Sequence, residues 1–155
     1  MRTVAPLEVG LAVADLDRLL PFYREVLGLR LLSDVAVPAT IGRATGLATA
    51  GYRIVRLESP SGDRLKLAQP DPPPSAAPAP ACAMERRGGA YVTFIVDDLD
   101  STHAALQRAG ARVHSRGTVE VRPGVRMLLV TDPEGNYLEF VQYAELRAYR
   151  PSPPA

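Results

Sequence analysis

The chain has 155 residues, 46% hydrophobic and 23% charged, the proportions of a globular domain rather than a disordered chain or a fibrous rod. Eighteen basic and seventeen acidic residues leave a net charge of +1, which gives no electrostatic footprint for nucleic acid. No apolar run reaches the roughly 18–20 residues that span a bilayer, and Met1 to Gly10 lacks a secretory pattern, so a soluble cytoplasmic protein without a membrane partner is expected. Cys82 is the one cysteine, which excludes an intrachain disulfide and a Cys-based metal cluster.

In chain order, Leu7, Val9, Leu11 and Val13 alternate with Glu8, Gly10 and Ala12, the period of a half-buried strand. Asp15 or Asp17 caps a helix whose apolar residues, Leu16 to Leu27, keep helical spacing and which stops at Gly28. Pro21 inside it predicts an irregular first turn. Strands follow over 29–37, 52–58 and 64–69, with a loop or short helix over 40–51. Tyr91 to Val96 is a strand, Asp98 or Asp100 caps a helix ending at Gly110, and strands follow over 111–115, 125–131 and 137–143. Asp132-Pro-Glu-Gly between the last two is a turn with Pro at its second and Gly at its fourth position.

Six of the fifteen prolines lie between Pro70 and Pro80. Proline lacks a backbone donor and favours extended geometry, so residues 70–87 read as a semi-rigid linker. The linker divides a single domain, 1–155, into a first module, 4–69, and a second, 88–143. A tail, 144–155, ends in Pro-Ser-Pro-Pro-Ala and is expected to be mobile.

The modules repeat one another. Val9 to Asp17 matches Val92 to Asp100 at a shift of 83, and Ser59 to Gln69 matches Asp132 to Gln142 at a shift of 73, keeping Pro, Gly, Leu and Gln in register. Each module reads as strand, helix and three strands. In each, the strand face opposite the apolar one carries polar residues: Glu8 and Lys66 in the first, Tyr91, Thr93, Tyr137 and Glu139 in the second. Under the repeat Glu8 corresponds to Tyr91 and Lys66, the one lysine of the chain, to Glu139. If the sheets pair about a pseudo-twofold axis, these four converge. Arg53 and Arg126 are also equivalent and are candidates for orienting an anionic substrate. His103 and His114 are expected at the surface, and Cys82 as an exposed thiol in the linker.

Glu8 to Asp17, Pro21-Phe-Tyr-Arg-Glu-Val-Leu-Gly-Leu29, Phe94 to Asp100 and Thr131 to Phe140 resemble the signatures of the vicinal oxygen chelate (VOC) superfamily. That superfamily includes glyoxalases, extradiol dioxygenases, methylmalonyl-CoA epimerases and bleomycin-resistance proteins. The resemblance covers residues 7–143. It implies an α+β fold of two tandem βαβββ modules forming a cup-shaped mixed sheet. It does not specify a reaction, because one scaffold hosts many.

In metal-using relatives the resemblance places His at the positions of Glu8 and Tyr91, and acidic or amide ligands at those of Lys66 and Glu139. Here both His are missing, and an ammonium stands at a ligand position, where it repels a cation. The expectation is therefore no metal and no cofactor, with the Lys66 ammonium in the electrostatic role of the metal. Lys66, Glu139, Glu8 and Tyr91 are the candidate catalytic residues, and Thr93, Tyr137, Arg53 and Arg126 the candidate substrate-binding residues.

Three functions follow. The preferred one is a metal-independent enzyme of lyase or isomerase type, moving a proton next to a carbonyl of a small organic molecule. The second is a non-catalytic drug- or metabolite-binding protein of the bleomycin-resistance kind. The third is a metal enzyme with an altered ligand set, Glu8, Tyr91 and Glu139. The expected partners are a small-molecule substrate or ligand and a second copy of the chain in a homodimer.

Overall fold

The computed structural model describes residues 5–75, 82–85 and 87–149. The chain divides into two compact units, Met1–Pro78 and Ala79–Ala155. Among the described residues no helix is long and apolar enough to cross a membrane.

The first unit runs β1 (Glu8–Ala12), α1 (Leu16–Pro21), a π-helical turn (Phe22–Val26), β2 (Arg30–Val37), α2 (Ala39–Thr45), β3 (Tyr52–Glu58) and β4 (Arg64–Pro70). Its sheet has the order β1-β4-β3-β2. β1 lies parallel to β4, and the other pairs are antiparallel. Asp15, not Asp17, caps α1, accepting from the Arg18 N–H at 3.1 Å.

The irregularity caused by Pro21 falls after it rather than in the first turn. Without a proline N–H the α ladder stops; the Phe22 N–H turns to the Leu19 carbonyl and the Leu27 N–H reaches back five residues to Phe22. In this widened turn the consecutive Phe22 and Tyr23 are both buried, edge to face at 5.4 Å. The segment over 40–51 does contain a short helix, and Gly42 is required in it, because a Cβ there would collide with the Ala50 carbonyl oxygen.

The second unit runs β5 (Tyr91–Ile95), α3 (Leu99–Arg108), β6 (Arg112–Val113), β7 (Val119–Arg122), β8 (Val125–Thr131), β9 (Tyr137–Tyr143) and a 3₁₀ turn (Leu146–Ala148). The order is β5-β9-β8-β6, with β7 also pairing with β8 and β5 parallel to β9. Asp98 caps α3, accepting from the Asp100 and Ser101 N–H groups at 3.0 Å each. Asp132 to Gly135 forms the expected turn, with Gly135 at φ +92° and its N–H on the Asp132 carbonyl.

Three expectations need correction. β7 is a strand the sequence reading left out, and the strand expected over 111–115 shrinks to Arg112–Val113. Leu7 and Val9, placed on the packed face of the first strand, are exposed; burial on that strand is complete only at Val13. The tail is structured at its start: the Ala144 N–H donates to the Gly124 carbonyl, and the Tyr149 ring meets that of Tyr143 at 5.4 Å. The rest of the tail, from 150, and linker residues 76–81 and 86 lie outside the described residues.

Each core follows strand alternation. In the first unit Val55, Leu57, Leu65 and Leu67 are buried with Leu16, Leu19 and Tyr23. In the second, Leu128, Val130, Leu138 and Phe140 are buried with Leu99 and Leu106. The repeated Gln has the same task in both units. Gln69 Oε1 accepts the Leu16 N–H at 2.8 Å, and Gln142 Oε1 accepts the Leu99 N–H at 3.1 Å. Each last strand thus satisfies a donor that a helix N-terminus leaves free.

Candidate functional site

Strand register decides which side chains share a face. In the first unit Glu8 pairs with Arg64 and Gly10 with Lys66 across β1 and β4, while Lys66 pairs with Arg56 and Arg64 with Glu58 across β3. Leu65 and Leu67, one residue out of phase, are buried, so these charged residues occupy the face opposite the core. Lys66 Nζ lies 3.3 Å from Glu8 Oε2, with the two side chains 30% and 27% exposed. The ammonium, with Arg64 behind it, holds the Glu8 carboxyl below its ordinary value. Arg64 bridges Glu8 at 3.5 Å and Glu58 at 3.1 Å, and Arg30 also bonds Glu58. The pairing of Lys66 with Glu8 expected from the sequence is therefore present.

In the second unit Tyr91 pairs with Tyr137 and Thr93 with Glu139 across β5 and β9, and Glu139 with Leu129 across β8. The Thr93 hydroxyl donates to Glu139 Oε2 at 2.7 Å. Thr93 is the repeat equivalent of Gly10, so the hydroxyl beside Glu139 stands where the first unit has no side chain; the Lys66 stem fills that space, with its Cε 4.0 Å from where a Gly10 Cβ would be. Tyr91 is 47% exposed, whereas Tyr137 is buried.

Both histidines depart from the surface positions expected for them. His114 is half-buried: its Nε2 lies 3.3 Å from Thr131 Oγ1 and its ring meets that of Tyr137 at 5.1 Å. Burial, with a smaller effect from Arg112, lowers its pKa. It belongs to the same face as Glu139, and the sequence reading missed it because β6 is too short to display an alternation. His103 is half-buried on α3, and its Nε2 is buried without a hydrogen-bond partner among the described residues. Cys82 is exposed.

Arg53 and Arg126 are not on these faces. Arg53 is in phase with the buried Val55 and Leu57, and Arg126 with the buried Leu128 and Val130, so both lie on the helix-covered side. Arg53 makes a fork to Asp34 at 2.9 and 2.7 Å and reaches Asp17 of α1 at 2.7 Å. Arg126 makes a fork to Asp100 of α3 at 3.0 and 2.7 Å and bonds Thr118. Asp17 and Asp100 are themselves repeat equivalents. The pair is one device present twice, tying a strand to the start of a helix, and its guanidinium donors are already occupied by carboxylates.

The four positions that the resemblance associates with metal ligands do not suit a divalent cation. An ammonium offers donors and no lone pair, and Lys66 is bound to the carboxylate that would have to serve as a ligand. Glu139 offers a carboxylate, with one oxygen accepting from Thr93. Among the described residues no group of three or more His, Cys, Asp or Glu side chains is placed to hold a metal ion.

Comparison with known proteins agrees with this architecture. A glyoxalase family protein from Bacillus cereus superposes with a TM-score of 0.80 at 24% identity, covering 94% of this chain and 97% of that one. A glyoxalase/dioxygenase from Nostoc punctiforme gives 0.64 at 26% identity, with 89% and 90% covered. TnmS3, an antibiotic binding protein from a Streptomyces species, gives 0.57 at 22% identity, with 92% and 98% covered. No curated protein matches the chain. The family model of the glyoxalase/bleomycin resistance protein/dioxygenase superfamily matches residues 5–140. With two βαβββ-type units, repeated helix-capping glutamines and that match over most of its length, the chain belongs to this superfamily.

Proposed function

We propose that the protein binds a small organic molecule on the polar face of a sheet and, without a metal, moves a proton next to a carbonyl group of that molecule. The observation that carries this reading is the Lys66–Glu8 pair, 3.3 Å apart on a sheet face that is not needed for the core. Lys66 donates to the oxygen on which charge develops as the proton leaves. Glu8, beside it on the same sheet face, takes the proton as general base. On the polar face of the second unit Glu139, oriented by the Thr93 hydroxyl, is the alternative general base, with the Tyr91 hydroxyl and the paired Tyr137 and His114 rings on its own sheet.

A second reading, non-catalytic sequestration, is supported by the fold shared with TnmS3, an antibiotic binding protein, and by apolar side chains on the same faces. Val35, 44% exposed, and the half-buried Ile54 pair across β2 and β3. One experiment separates the two. Chelator-dialysed protein is screened against a library of small carbonyl compounds, following both binding and exchange of the α-proton in D₂O. The enzyme reading predicts α-deuteration of a bound compound, lost by at least ~100-fold in Lys66→Ala and Glu8→Gln while both stay folded; general acid–base groups typically contribute on this scale. Tight stoichiometric binding with no exchange would establish the sequestration reading instead.

A further inference from the structure

The polar face of the first unit carries more positive charge than its carboxylates can neutralise. Arg30, Arg56, Arg64 and Lys66 share it with two carboxylates, Glu8 and Glu58. Both carboxylates are occupied: Glu8 by Lys66 and Arg64, Glu58 by Arg64 and Arg30. Among the described residues no carboxylate pairs with Arg56. It reaches only the Ser33 hydroxyl, at 3.4 Å. Arg56 is half-buried in the middle of β3, beside Lys66 on one strand and Ser33 on the other.

The internal repeat provides a control. Arg53 and Gln69 recur as Arg126 and Gln142, with the same structural tasks in both units. Arg56 corresponds instead to Leu129, which pairs with Glu139 just as Arg56 pairs with Lys66. The fold therefore does not require a cation at this position. Along the same face Ile54 precedes Arg56 on β3, and Val35 flanks Ile54 on β2. A forked cation thus lies next to an apolar strip.

We propose that Arg56 is a specificity-determining residue that selects an organic oxyanion, gripping its carboxylate or phosphate oxygens through the planar guanidinium, with the ligand's apolar part on Ile54 and Val35. This rests on the reading of the polar faces as the ligand site and names the substrate class for it.

The test uses benzoate, phenyl phosphate and neutral benzamide as probes of the full chain, with titrations followed by NMR of the Arg56 Nε–H. Benzoate or phenyl phosphate should shift that signal saturably, and benzamide should not; the stronger of the two names the oxyanion. Arg56→Gln should weaken the anionic probe about tenfold or more, Arg56→Lys should recover part of the loss, and exposed Arg24→Gln should change binding less than about twofold. Equal binding of benzamide and benzoate, unaltered binding by folded Arg56→Gln, or absence of any Arg56 shift overturns the inference. A neutral compound from the library that still shifts Lys66 or Glu139 in that case leaves the general site standing and removes only the anion specificity.

Discussion

Lys66 and Glu8 define each other. Both are partly exposed, and they lie 3.3 Å apart on the sheet face opposite the core. The ammonium is the leading cause of the lowered Glu8 pKa. Lys66→Ala should therefore raise it toward its ordinary value of 4.5, leaving only Arg64 to hold it down. Carbon-detected NMR titration of the Glu8 carboxyl in both proteins reads this directly; an unmoved midpoint would mean the pair does not form in solution. At the same scale, Lys66, Glu8, Glu139 and Thr93 were legible from alternation and the repeat. Arg56 was not, because the chain has many arginines and nothing in the sequence separates a paired guanidinium from an unpaired one. Arg53 and Arg126 misled for the same reason. Their equivalence was visible, and so was their phase with Val55 and Leu57 or Leu128 and Val130, which puts them on the helix-covered face; what the sequence did not display is that Asp17 and Asp100 occupy their donors there.

Among elements, those with strong periodicity were readable almost to the residue: β3, β8 and β9 begin and end where alternation says. Short elements were not. β7 has four residues, all exposed, and owes its place to pairing with β8 rather than to an apolar face of its own. The π-helical turn after Pro21 follows from a missing N–H, but where the ladder recovers depends on packing of Phe22 and Tyr23. The capping glutamines give an element-scale prediction. Gln142→Ala leaves the half-buried start of α3 with an unsatisfied Leu99 N–H and removes a donor to the Asp97 carbonyl. Losing such a partner costs about 1–3 kcal/mol. Urea unfolding should show that loss, with Gln69→Ala giving a similar one; stability unchanged in both would show that water replaces the side chain at no cost.

Across the whole molecule, ionisation couples to stability. Glu8, Asp34, Glu58, Asp98 and Asp100 all have lowered pKa values, through Lys66, Arg53, Arg64 and Arg30, backbone donors, and Arg126 respectively. Groups with depressed folded values stabilise above their unfolded values and lose that contribution as pH falls through the folded ones. His114, also depressed, adds stability above its ordinary 6.5 that fades below it. Thermal unfolding should therefore show a small loss as pH drops below 6.5 and a larger one below about 4.5; a melting temperature that rises between pH 7 and pH 4 would contradict these assignments. The same alternation that built the cores leaves one polar face on each sheet, and the central claim is that these faces receive the ligand without a metal. The most direct measurement is an NMR map of chelator-dialysed protein titrated with the tightest-binding compound from the screen. The account predicts saturable shifts at Lys66 and Glu8, or at Thr93 and Glu139, and none at Arg53 or Arg126. Shifts centred on the helix-covered face, or binding that returns only when a divalent cation is added, would contradict it.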